Sequence, residues 1–227
     1  MNRKTSIVGI IILLIISSCN SITHRSKVQK QLPELGTIGQ FEEYVLQNIN
    51  EAKTVVELNS AIRLSYQIIK VSKREIFLKN DSLREPLKDS TLIALTILDK
   101  LSLMQQINKN KELVRYLKKG DKHRIITEVT LNYSKDILSE MQSADELYLV
   151  QNKQKTLSIE LRNNNKFYKT IDFAEGTIVD VHASAFCWGA SNGYKIEILD
   201  LVNVDSNCSS KTYKSARKAE RKTEIRF

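Results

Sequence analysis

The hydrophobic period of the chain changes near Asp145, and that change limits it to folds that keep helices and strands apart. Upstream, apolar residues recur at intervals of three and four, as on a helix with one buried face. Ile38, Phe41 and Val45 form one such stripe, and Val55, Leu58, Ile62, Tyr66 and Ile69 form another. Thr54 and Glu57 have the spacing of a capping box, in which Thr54 accepts from the third amide and Glu57 reaches back. Asn80-Asp81-Ser82 breaks the pattern, and Pro86 fits the first turn of a further helix, where its missing N–H costs nothing. From Leu92 to Ile107 the chain is apolar on more than one face, as in the central element of a bundle. A short helix over 111–119 then stops at Gly120, a residue suited to a left-handed cap. Residues 122–142 pull two ways. Ile126, Val129, Tyr133, Ile137 and Met141 have helical spacing, whereas the β-branched run from Ile125 to Thr130 favours strand; the spacing predicts helix.

Downstream the period is two. Leu157, Ile159 and Leu161 alternate with Ser158, Glu160 and Arg162, and Asn163 to Asn165 is turn material before a return over 167–173. Glu175-Gly176 and Asn192-Gly193 mark further turns around a strand from Thr177 to Phe186 and another from Tyr194 to about Val204. The expected architecture is α+β. A helical bundle covers 37–144, a small antiparallel sheet covers 145–208, and a basic tail covers 209–227.

The first twenty residues carry an address. Arg3 and Lys4 precede an apolar run from Ile7 to Ile16, and small residues follow at Ser17 and Ser18. This order reads as a secretory signal; a membrane-spanning helix needs about 20 apolar residues, twice the run found here. Ile16-Ser17-Ser18-Cys19 resembles the lipobox of bacterial lipoproteins. The resemblance covers residues 1–20 and implies removal of 1–18, diacylation of Cys19 and a lipid anchor in a bacterial envelope membrane. Each buried methylene would add about 0.8 kcal/mol to that anchor. Asn20 stands where an aspartate would signal inner-membrane retention, which leans toward the outer membrane of a Gram-negative cell. Residues 19–36, with His24, Arg25, Lys27, Lys30, Pro33 and Gly36, then read as a tether.

With Cys19 consumed by lipid, Cys187 and Cys208 remain as an even pair in a compartment that favours disulfides, and they are expected to bond. A formal net charge of +9 would suggest nucleic acid in a cytosolic protein. In an exported one it points to phospholipid head groups, lipopolysaccharide or wall polymers, with no nucleic acid. The tail concentrates this charge at Lys211, Lys214, Arg217, Lys218, Arg221 and Lys222, and reads as a solvated end, dispensable for folding, that meets an anionic surface.

No catalytic signature is present. Ser215 and Lys218 match Ser-x-x-Lys by letters, but that lysine lies among other cations and cannot readily be neutral. Asp180, His182 and Cys187 can be drawn as a thiolate triad, yet five residues of strand span about 16 Å, so the chain would have to turn back. His24, His123 and His182 have no neighbouring ligands, so no metal or other cofactor is expected. The stretch from Cys187 to Gly193 reads as a loop in which Trp188 either meets a partner or folds inward over a disulfide. The expected function is a non-catalytic, membrane-tethered envelope lipoprotein that binds an anionic envelope polymer or a protein. The alternatives are an envelope enzyme acting on wall or glycan material and an inhibitor or immunity-type lipoprotein.

Overall fold

The computed structural model describes residues 32–40, 52–71, 90–192 and 194–224. Within them lie β1 (Thr37–Gln40), β2 (Ala52–Val55), β3 (Ile62–Val71), β4 (Ser90–Ile97), α1 (Lys100–Lys109), α2 (Lys111–Lys118) and β5 (His123–Asn132). Then follow α3 (Lys135–Ser143), β6 (Glu146–Gln151), β7 (Leu157–Asn163), β8 (Lys166–Asp172), β9 (Thr177–Ser191), β10 (Lys195–Asn203) and α4 (Ala216–Glu224). The ten strands form one sheet in the order β10-β9-β5-β4-β3-β6-β7-β8, with β1 against β5 and β2 against β1. β1 and β4 share one edge of β5. β1 pairs with His123 to Ile125 and β4 with Glu128 to Leu131, both antiparallel.

The expected helical bundle over 37–144 is therefore wrong, and so is the small sheet. Among the described residues of that region strand outweighs helix, and each misreading has a physical cause. On β3, Ile62, Tyr66 and Ile69 fit a helical interval by coincidence, while Ile62 and Leu64 are buried on either side of exposed Arg63, at the period of two. On β4, Leu92, Ile93, Ala94 and Leu95 are all buried, so both faces are covered. A continuous apolar run of this kind cannot be told from a buried helix by periodicity. Over 123–132 the β-branched residues prevail, and the helix begins only at Lys135. Thr54 lies on β2, where no helix begins. Gly120 is not a left-handed stop, because its own φ is not positive. The readings on Phe41, Val45, Asn80 to Ser82 and Pro86 lie outside the described residues.

The helices that do form are short and side-chain capped. Asp99 accepts from the Ser102 amide, Asn110 from Leu113 and Ser134 from Ile137. Asn110 both ends α1 and starts α2, so the two helices meet at a corner with no loop. α1 also covers the outer edge of β10. The Asn108 side chain donates to the Ile198 carbonyl (2.8 Å) and accepts from its N–H (3.0 Å), doing for one residue what a further strand would do.

The sheet folds back on itself around one core. Gly36 (φ +80°) donates to the Ile126 carbonyl, and a Cβ there would lie 2.8 Å from Leu157 of β7. A larger residue would thus be strained in backbone and in space. The Leu58 amide reaches the Gln151 side chain of β6 at 3.0 Å. Leu35, Ile38, Ile125, Leu149, Ile159 and Leu201 belong to the same buried cluster. Near its margin, Glu34 is half-buried beside Asp172. Burial first, and the Asp172 charge second, hold its carboxyl above the ordinary carboxylate value of 4.5. A raised folded value means that Glu34 favours the fold while protonated and loses that contribution as pH rises through it. Glu34→Gln should accordingly raise the melting temperature at neutral pH, with the gain fading toward about pH 4. A gain as large in acid as at neutrality would show that the charge is not the cause.

Candidate functional site

The C-terminal third of the chain carries Asp180, His182, Cys187, Trp188, Cys208 and the basic residues singled out by sequence, whereas His123 lies on β5 and Cys19 and His24 lie outside the described residues. β9 organises this third. Trp188 lies opposite Ile198, and Phe186 opposite Leu201, so these large side chains share the core face. On the other face Ala185, Cys187 and Gly189 alternate with them, and this side is small because a second layer crosses it. A Cβ on Gly189 would meet Leu199 at 2.6 Å, Thr212 at 3.2 Å and the Lys211 carbonyl at 3.3 Å. Cys187 is bonded to Cys208, with Cα atoms 5.7 Å apart. Trp188 and Tyr213 exchange backbone hydrogen bonds of 2.7 and 2.8 Å, so the chain after the disulfide lies along β9 as a short extra pairing.

The loop reading of 187–193 is corrected by this arrangement. Cys187 to Ser191 continue β9, and Trp188 is only 2 % exposed, packed in the core and not offered to a partner. The period-two signal was there in Phe186-x-Trp188, with small residues between. Trp-Gly-Ala-Ser has loop-like composition, which hides the end of the strand at Ser191.

The solvated-tail reading is corrected as well. α4 buries Ala216 and Ala219 against β9 and β10, and Ser215 caps it by accepting from the Lys218 amide. That capping role explains the Ser-x-x-Lys letters. The basic residues then divide. Lys214 is partly buried, and its ammonium donates to the Val204 carbonyl at 2.6 Å. Lys218 lies over the Tyr213 ring at 5.3 Å. Arg217, Arg221 and Lys222 are exposed on the outward side of α4, and Lys211 is exposed in the preceding turn with φ 71°. Glu220, on the inward side, pairs with Lys118 of α2 at 3.0 Å and ties the two helices together.

Among the described residues, Asp180, His182 and Cys187 do not form the triad drawn from the sequence. The His182 imidazole is 3.4 Å from Asp180 and 3.9 Å from Glu128, all on the partly exposed sheet surface. The sulfur of Cys187 is committed to the disulfide and has no thiol to offer. His123 is buried. Its Nδ1 lies 3.1 Å from the Gly120 carbonyl and its ring packs tilted against Tyr116, with centroids 4.4 Å apart, which makes it a packing and turn-fixing residue. Among the described residues no cluster of His, Cys, Asp and Glu could hold a metal ion, and no helix is long and apolar enough to cross a membrane. Compared with protein-family models, curated proteins and solved structures, the chain matches none.

Proposed function

We propose that this chain is a lipid-anchored lipoprotein of a bacterial envelope, on the outer membrane, that acts by binding and not by catalysis. The lipobox at Ile16 to Cys19 supports the address, and the Cys187–Cys208 bond suits an oxidising compartment. The observation that carries the binding role is the held basic face of α4. Because Ala216 and Ala219 face the sheet, Arg217, Arg221 and Lys222 point outward together from a docked helix. A cation near an anionic bilayer or polymer contributes about 1 kcal/mol, decaying over a Debye length.

Two measurements test this. Mass spectrometry of the mature protein from its native host should find an acylated Cys19 at the N-terminus. A Cys19→Ala chain still cut after Ser18 and equally membrane-bound would refute the anchor. Separately, the triple variant Arg217→Gln, Arg221→Gln, Lys222→Gln should lose up to roughly 100-fold in affinity for phosphatidylglycerol vesicles at low salt. It should keep the parent's melting temperature. Unchanged vesicle affinity would remove α4 as the contact.

A further inference from the structure

Beside α4 runs an open groove of about 800 Å³, a size within the range of small-ligand sites. One wall is the α1–α2 corner, with Lys109, Lys111 and Lys118; the other is the start of β10, with Tyr194 and Lys195. Val114 and Ile196 supply apolar surface between them.

The charges in it are unequal in status. Lys118 is paired with Glu220, and Lys195 with Glu197, whose carboxyl its ammonium holds below the ordinary value. Lys109 and Lys111 have no carboxylate partner among the described residues. Lys109, in the last turn of α1, is favourably placed against that helix's dipole. Lys111 is not. It occupies the first position of α2, where a cation is repelled by the positive helix end and an acidic residue is preferred. The same position is also lysine in α1 (Lys100) and α3 (Lys135), so Lys111 is distinguished by its place on the groove wall and not by its place on the helix. Tyr194, 73 % exposed at the mouth, adds a flat amphipathic ring, and Gln105 adds an amide on the wall.

We infer that this groove binds an acidic oligosaccharide. Lys109 and Lys111 meet its carboxylates or phosphates, Tyr194 lies against a ring face, and Gln105 hydrogen-bonds its hydroxyls. The site differs from the bilayer-facing side of α4 and does not require the lipid anchor.

Calorimetric titration of the detergent-solubilised full chain tests it. The acidic probes are hexagalacturonate and pentamannosyl phosphate; chitohexaose is the neutral probe and hexaglutamate the acidic peptide probe. Binding of at least one acidic sugar and not of chitohexaose is expected, and which sugar binds tells carboxylate from phosphate. Lys109→Gln with Lys111→Gln should weaken it about ten-fold. Tyr194→Ala should weaken it too, whereas the α4 triple variant should leave it intact. The inference fails if neither acidic sugar binds at millimolar concentration, if hexaglutamate binds as tightly, or if the groove variants bind like the parent. Loss in the α4 variant alone would transfer the anion contact to α4 and also refute the groove.

Discussion

Trp188→Ala is expected to remove about 3–5 kcal/mol of folding stability, the cost of emptying a large buried aromatic site. The indole is 2 % exposed, lies opposite Ile198 on the core face of β9 and belongs to the single buried cluster. Trp188→Phe keeps much of the volume and should cost appreciably less. Urea unfolding followed by circular dichroism measures both, since the only tryptophan is lost in each. In the parent, the emission maximum should be that of a buried indole and move to the red on unfolding. A surface tryptophan waiting for a partner would behave differently, because exposed substitutions usually change stability by less than about 0.5 kcal/mol. A loss that small would contradict the packing described here.

Cys208→Ala is expected to cost about 3 kcal/mol. The bond spans a sequence separation of 21, and in the chain-entropy account a closed loop of that size destabilises the unfolded ensemble by about 3 kcal/mol. Cys208 is the better residue to replace, because Cys187 is fully buried and its loss would add a packing defect. The damage should also be local. The bond holds the start of the segment that pairs through Tyr213 and ends in α4, so amide exchange at Tyr213 and Ala219 should accelerate more than exchange in β5. Unchanged stability with unchanged exchange at those amides would show that packing alone holds the segment.

Legibility followed local chemistry. Alternation at Leu157, Ile159 and Leu161, the asparagine turn after it and the Asn192 turn lie at strands and turns because one-sided strands and tight turns write their pattern directly into neighbouring residues. The first half was misread where the fold covers both faces of a strand. Leu92 to Leu95 are buried on both sides because the sheet bends over itself, and such a run has no period to detect. Thr54 and Glu57 have a helix-start spacing, but the cap has meaning only if a helix follows, and here a strand pairs with β1. The groove was illegible for another reason. Lys109 and Lys111 lie far from Tyr194 in sequence and meet it only because α1 covers the edge of β10. The basic letters of the last segment were plain; that Ala216 and Ala219 would pin them to a helix face depended on small residues whose role shows only against β9.

The first described strand sits inside the sheet. β1 is hydrogen-bonded on both sides, to β2 and to β5, and Leu35 and Ile38 are fully buried. With the anchor at Cys19 proposed above, any tug from the membrane would enter the domain through this strand. A pull along a strand's axis loads its flanking hydrogen bonds in shear, so they must fail together, whereas a strand peeled from an edge loses them one at a time. A lipid anchor at Cys19 would thus pull on an interior strand and not on an edge. An equal force applied through edge strand β8 would unzip it from β7 first.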